Sequence, residues 1–412
     1  MSTIKSMRLH IGILGQTNAG KSTLLNAITA QNVSIVSPQP GTTTDPVQKT
    51  MELKPFGPVL FIDTAGYKDQ SILGETRQAK TIQSLQRLNI AIIVIDPNSD
   101  IEADQEMAKQ LQDHNIPYCI CCSKMNSSTI SSSLQQWIQN ENIPFFFHDL
   151  SMERVTFVSS FVHCLEKIVP SDWDSTPSMI GDLTSPGDTI VLVIPIDKEA
   201  PKNRIILPQQ QAIRSALDQG SISVITGVSE LPKVLGNLKE KPALVVTDSQ
   251  AFKEVFSIVP TDIPVTGFSI LLAKLKGDLH TFVEGIQVIP SLDTGDQILI
   301  LEACSHNPVC NDIGREQIPN GLRECTGKKL HFDIHSGHDF PEDITKYRLI
   351  IHCGGCILNR QEIQHRIRKA KKSGVPFTNY GMILSYLHGD LERALEIFKR
   401  DKKKEDLTPL KD

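Results

Sequence analysis

Gly15-Gln16-Thr17-Asn18-Ala19-Gly20-Lys21-Ser22 is a complete G-x-x-x-x-G-K-S stretch. An apolar run, Leu9 to Leu14, leads into it, and an amphipathic run, Thr23 to Ala30, leaves it. A strand, a glycine-bearing turn and a helix N-terminus in that order make a phosphate cradle. Backbone N–H groups point at the anion, and the helix dipole favours negative charge there. Lys21 is placed to neutralise β- and γ-phosphate charge, and the Ser22 hydroxyl to ligate magnesium. Gly15, Asn18, Ala19, Gly20, Lys21, Ser22 and Thr23 are the expected nucleotide contacts.

Downstream, apolar strands recur with helical runs between them. Val59 to Ile62 leads into Asp63-Thr64-Ala65-Gly66, Ile90 to Ile95 is continuous, and Pro117 to Cys122 ends at Ser123-Lys124-Met125-Asn126. Asp63 would hold magnesium through a water, and the Gly66 N–H would meet the γ-phosphate. The alternation predicts a Ras-like α/β domain over residues 1–170. Pro40-Gly41-Thr42-Thr43-Thr44-Asp45-Pro46 is rich in turn residues and resembles the first switch loop of the TrmE–Era branch of GTPases. That resemblance implies a threonine that senses the γ-phosphate through magnesium: Thr43, with Thr42 and Thr44 as competitors. Asn18 matches the potassium-coordinating asparagine of the same branch; its plain alternative is a turn residue. The loop Tyr67 to Glu75 is expected to be mobile and carries no evident arginine finger, so potassium at Asn18 is the expected charge stabiliser. Glu75 reads as a solvated loop residue ahead of a water-positioning one.

Lys124 and Asn126 fall where N-K-x-D, the guanine-reading motif, belongs, but Ser123 and Asn126 replace its first and last residues. An aspartate there accepts two hydrogen bonds from guanine. Asn126 offers one acceptor and turns a donor toward a donor. Ser123 would also brace the pocket less than asparagine does. Weakened selectivity for GTP is the expectation. Cys119, Cys121 and Cys122 lie on the strand without ligand-like spacing and read as core residues.

The chain has 412 residues, 40% of them hydrophobic, a net charge of −5 and nine cysteines. This suits two to four globular domains. It argues against a broad nucleic-acid-binding surface and against a disulfide scaffold. Two basic runs, Arg366 to Lys372 and Lys399 to Lys404, read as solvated helix faces. No apolar run has the length of a membrane span, and no signal-peptide pattern is evident. A reducing, cytoplasmic setting is expected, with no membrane partner.

Pro170 to Pro186 reads as a linker. Beyond it, Thr189 to Ile196, Ile222 to Thr226, Ala243 to Thr247 and Pro264 to Phe268 are strand-like runs separated by helices, predicting a small parallel sheet over 180–285. A third α/β domain is expected over 290–412, with strands at Gln297 to Leu301, Leu330 to Ile334 and Leu349 to Ile351. Helices are expected at Asn359 to Ser373 and Met382 to Lys399. Two of these strands end in Cys304-Ser305-His306 and His352-Cys353-Gly354-Gly355-Cys356. Three thiols and two imidazoles at strand C-terminal ends suit an iron–sulfur cluster or zinc, and that edge of an open sheet is where ligands bind. Gly354 and Gly355 let the backbone bend around the metal. Cys310 and Cys325 read as structural cysteines.

The combination C-x-H…H-C-G-G-C with the phosphate loop resembles the maturation GTPases of FeFe-hydrogenases. Arg204 to Gln209, Gly337 to Asp343, Thr378 to Gly381 and Tyr386 to Gly389 add to the likeness, which covers nearly the whole chain. The resemblance implies a 4Fe–4S cluster on Cys304, Cys353 and Cys356. The remaining iron would be open to water, His306, His352, a carboxylate such as Asp312, or an incoming ligand. It further implies a middle dimerisation domain, a homodimer, and a slow GTPase using GTP, magnesium and potassium. Such a protein would accept a diiron precursor from radical-SAM maturases and pass it to apo-hydrogenase. Two other readings of the same residues stand beside it. One is a zinc-stabilised Era-type regulatory GTPase in RNA or ribosome work. The other is a nucleotide-binding assembly module with little hydrolysis.

Overall fold

The computed structural model describes residues 5–29, 47–64, 84–123, 130–149, 151–171, 173, 178–195, 205–303 and 312–405. Thr42, Thr43, Thr44, Gly66, Glu75, Lys124, Asn126, Cys304, His306 and Cys310 lie outside the described residues. The chain forms two compact units, Met1–Thr176 and Pro177–Asp412.

The first unit is built on a six-stranded sheet of β1 (Leu9–Leu14), β2 (Val47–Leu53), β3 (Gly57–Asp63), β4 (Ile90–Ile95), β5 (Tyr118–Ser123) and β6 (Phe145–His148). The strand order is β2-β3-β1-β4-β5-β6. All pairs are parallel except β2 with β3, where Val47 opposes Asp63 and Leu53 opposes Gly57. β2 is a mostly polar edge strand that the apolar pattern passes over. β1 and β4 are buried at every residue, because helices cover both faces of a parallel sheet and leave no polar side. Leu9, Ile11 and Ile13 pack on one face with Phe61, Phe146 and Phe161. Leu60, Ile62 and Ile93 pack on the other with Leu111 and Trp137. Cys119 and Cys121 belong to the first core and Cys122 to the second, as their lack of ligand spacing implies.

The second unit holds two four-stranded parallel sheets. The first contains β7 (Thr189–Val193), β8 (Ile222–Thr226), β9 (Leu244–Thr247) and β10 (Val265–Gly267), ordered β10-β9-β7-β8. The second contains β11 (Gln297–Glu302), β12 (His331–Ser336), β13 (Leu349–His352) and β14 (Phe377–Asn379), ordered β12-β11-β13-β14. One apolar core runs through both: Val191, Val245 and Val265 share it with Ile298, Ile300, Ile350 and Phe377. The sequence assigns these sheets to separate segments, yet of the helices between them Phe268–Lys276 is buried along most of its length and Leu279–Ile286 along half.

The sequence predicts one helix from Met382 to Lys399; the chain makes two, Tyr380–His388 and Leu391–Glu405. Gly389 ends the first in the left-handed conformation, φ +80°, which only glycine adopts without penalty. Arg366 corrects the solvated-face reading of its basic run, because it is 1% exposed.

Every sheet shares one topological feature. The chain leaves the first parallel strand to one side and later returns on the other. The crevice at the C-terminal end of that strand is where an open α/β sheet binds ligands. In the outer sheets it coincides with the phosphate loop and with the cysteine loop.

Candidate functional site: phosphate loop and cysteine loop

The phosphate loop follows the buried strand β1 and passes close under β4. Gly15 has φ +152°, and a Cβ there would lie 2.5 Å from the Val94 carbonyl, so only glycine fits. Lys21 folds back over the loop, its Nζ donating to Gly15 O at 2.9 Å and Gln16 O at 2.8 Å. Burial lowers the Lys21 pKa, with Asp63 and Asp104 pulling the other way. Gln16 anchors the loop by donating to Asp104 Oδ2 and to Asp100 O, both at 2.7 Å. Asn18, Ser22 and Thr23 are exposed on the loop and the first turn of the helix Lys21–Thr29, and Ala19 and Gly20 lie between them.

Asp63 ends β3, beside this loop. Its Oδ1 is buried and has no hydrogen-bond partner among the described residues. Burial pushes the carboxyl up to about 6, against the opposing pull of Lys21 and Lys49. An orphaned buried carboxylate oxygen facing two cations fits a divalent ion with its water shell, so the residues present suit magnesium. Thr64 fixes the strand end by donating its hydroxyl to Ile13 O at 3.1 Å.

Ser123 reaches the phosphate loop. Its hydroxyl is buried and donates to the Ala19 carbonyl of the phosphate loop, with Ile95 O a second acceptor at 3.3 Å. The shorter side chain still braces the loop.

The cysteine loop lies at the C-terminal edge of β11 and β13. Leu301 pairs with His352, and Cys353 N donates to Leu301 O at 2.8 Å, so the ladder continues to the first cysteine. Ala303, which precedes Cys304 in sequence, donates its N–H to Cys353 Sγ at 3.0 Å, and the Gly355 N–H approaches the same sulfur at 3.4 Å. Donors aimed at sulfur favour thiolate, the form that binds metal. The described donor set therefore fits a thiolate-bound metal, and Ala303, the last described residue of its segment, lies against Cys353. Of the two glycines only Gly355 is left-handed, φ +61°, with a Cβ position 2.8 Å from Ile363 Cδ1. Burial raises the Cys356 thiol, and Lys276 pulls it down. Among the described residues no three ligand-type side chains converge.

His352 is buried and both ring nitrogens are engaged. Arg366 Nη1 lies 2.9 Å from Nε2, and Nδ1 lies 2.6 Å from Cys353 O. Arginine only donates, so Nε2 accepts and the proton sits on Nδ1, donating to Cys353 O. Burial and the neighbouring Arg366 hold His352 down at about 3. The ring supports the loop and offers no free nitrogen in this arrangement. Arg366 also donates to Glu362 Oε1 at 3.0 Å and Gly337 O at 3.2 Å, and His338 Nδ1 is 2.9 Å from the same Glu362 oxygen. This network ties the Gly337 to Asp343 segment to the cysteine loop. Asp312 Oδ1 accepts from Gly314 N and Arg315 N, both at 2.9 Å, capping the turn that follows. Cys325 is exposed.

Sequence reasoning missed Arg366, Glu362, Gln16–Asp104 and Lys276. Glu362 and Arg366 stand four apart on the helix Arg360–Lys372, a spacing that signals a side-chain pair. Lys276 belongs to no motif; its Nζ donates to the carbonyls of Gly355, Cys356 and Leu358, and burial brings it down to about 8.

Three family models match the chain. Residues 10–124 match a 50S ribosome-binding GTPase family, residues 179–277 the hydrogen maturase F dimerization domain, and residues 280–397 the hydrogen maturase F tetramerization domain. GTPase Der of Wolinella succinogenes is 40% identical over 100 residues, 23% of this chain and 21% of that protein. GTPase Era of Clostridium kluyveri is 28% identical over 165 residues, 39% of this chain and 56% of that protein. The chain thus spans about a fifth of the Der relative and just over half of the Era relative. A crystal structure of an Aquifex aeolicus Era variant bound to GDP and aluminium fluoride covers 55% of this chain and 97% of its own, at 18% identity and a TM-score of 0.33.

Proposed function

The chain belongs to the hydrogen maturase F family (HydF), a family of hydrogenase-maturation GTPases, and on that footing we propose that it hydrolyses GTP in one unit and carries a 4Fe–4S cluster in the other. Cys304, Cys353 and Cys356 would hold the cluster, which supplies an exchangeable iron position when bound. This chain's own residues do the rest. The N–H groups of Ala303 and Gly355, aimed at the Cys353 sulfur, would favour its thiolate in the ligating state. The Arg366–His352 contact fixes the turn before it. The protein would act as scaffold and carrier, accepting a diiron precursor from radical-SAM maturases and delivering it to apo-FeFe-hydrogenase.

In the nucleotide unit, Lys21 would bind the β- and γ-phosphates, and Ser22, Thr43 and Asp63 would serve magnesium. The Gly66 N–H would meet the γ-phosphate. Asn18, exposed on the loop at φ +63°, would present its side chain to potassium. Lys124 and Asn126 would contact the base. Hydrolysis would be slow, and GTP would bias the switch loops, a switch-like use of the nucleotide. Of the sites on the described residues, Asp312 is a weaker candidate for the remaining iron than an incoming ligand, since its Oδ1 already caps a turn; His306 stays a candidate.

The observation that carries this reading is the cysteine loop at the switch point of its sheet, with the Ala303 N–H on the Cys353 sulfur. A double dissociation tests it. Cys353→Ser should lose stable iron loading and keep GTP turnover; Lys21→Ala should lose turnover and keep iron. Replacing potassium with sodium should slow the parent's turnover. Full iron content in Cys353→Ser would remove the cluster assignment.

A further inference from the structure

The helix Phe268–Lys276 packs on the β7–β10 sheet and lies within the segment matching the dimerization domain, yet its last residue reaches into the cysteine loop of the next sheet. Lys276 is 4% exposed. Its Nζ lies 2.9 Å from Gly355 O, 2.9 Å from Cys356 O and 2.8 Å from Leu358 O. Carbonyls only accept, so three such contacts require three N–H groups, and that is the ammonium form. Among the described residues no carboxylate lies within ion-pair distance of it. A buried cation without a carboxylate needs another negative neighbour. The groups whose negative charge would favour the Lys276 cation are Cys356, Cys353 and, farther off, the carboxylate of Glu362.

The same helix covers the loop in other ways. Leu272 Cδ1 is the nearest atom to a Cβ placed on Gly354, at 3.6 Å. Gln364, on the helix after the loop, donates to Lys276 O at 3.2 Å and Gly277 O at 3.0 Å. The helix end is therefore bonded both to the cysteine loop and to the helix that follows it.

We propose that Lys276 is a positioning residue of the metal site: from the neighbouring sheet it holds the Cys353–Leu358 turn in its ligating shape and supplies the fixed positive charge that offsets the cysteine thiolates. This rests on the cluster reading of Cys353 and Cys356. It makes the dimerization-type segment a working part of a site whose ligands all lie outside that segment. A fixed cation beside a cluster stabilises the more negative, reduced form, so removing it lowers the reduction potential.

The test uses the full-length chain and its Lys276→Gln and Lys276→Met variants. In the metal-free proteins, amide exchange at residues 354–358 should be about tenfold faster or more in both variants, the loss of one to two net hydrogen bonds. After anaerobic loading with iron and sulfide, both variants should titrate at a lower reduction potential than the parent. A purely structural lysine would change exchange and iron content but leave the potential of loaded Lys276→Gln where the parent's is, so an unchanged potential overturns the charge role. Parent-like exchange in both variants overturns the holding role. A parent that takes up no iron and sulfide defeats the cluster reading and the charge role with it, while the exchange comparison still decides whether Lys276 holds the turn.

Discussion

Asp63 is kept in a state that disfavours its charge. Its carboxyl is raised from 3.8 to about 6, chiefly by burial. Between those values the folded nucleotide-free protein binds a proton that the unfolded chain does not. Stability is therefore fully present below about pH 4 and is lost as pH rises through 6, by up to about 3 kcal/mol at two units of 1.36 each. Asp63→Asn should raise the melting temperature of the nucleotide-free protein at pH 7.5, raise it about a third as much at pH 4.5, and abolish magnesium-dependent hydrolysis. An equal shift at both pH values would mean that charge burial is not the cause. Base recognition turns on Asn126. Losing hydrogen bonds to a charged acceptor costs roughly 1.5–3 kcal/mol each, so the parent should bind GTP weakly, xanthosine triphosphate should compete well, and Asn126→Asp should tighten GTP. Calorimetry decides; tight GTP binding unaffected by the substitution would show another loop supplying the acceptor. Ser123 tempers the effect by bracing the phosphate loop through Ala19. A single hydroxyl in place of an amide gives no hint in sequence of which carbonyl it reaches, which is why its bracing role was illegible there.

The strands were legible because parallel strands buried on both faces read as continuous apolar runs: β1, β4 and β11 fall where Leu9 to Leu14, Ile90 to Ile95 and Gln297 to Leu301 stand. Edge elements were less so. β2 is polar and paired on one side, and the helix break at Gly389 was hidden because apolar periodicity resumes at Leu391. β8 ends its sheet, yet Ile222 and Ile225 on it are 56% and 49% exposed, and Leu217 on the adjoining helix Leu207–Asp218 is exposed too. An edge strand with open apolar side chains invites pairing with another chain, in keeping with the dimerization-domain match over these residues. Ile222→Lys with Ile225→Lys should leave the fold intact and reduce the oligomer by sedimentation. An unchanged mass would move the interface elsewhere.

Two sequence motifs occupy two compact units of one chain. The phosphate loop lies in Met1–Thr176 and the cysteine loop in Pro177–Asp412. Both motifs were legible because their residue types and spacings stand out in the chain, whatever surrounds them. What sequence could not give is the support: Lys276 reaches Gly355 and Arg366 reaches His352 through packing between elements distant in the chain. Among the described residues no helix is long and apolar enough to cross a membrane. The central claim is that this scaffolding surrounds an iron–sulfur cluster. Its most direct test is iron, zinc and acid-labile sulfide analysis of the anaerobically prepared chain, with a visible spectrum. The cluster reading predicts iron and sulfide in equal amounts and a broad visible absorbance that Cys353→Ser abolishes. A colourless protein holding zinc and no sulfide would contradict it.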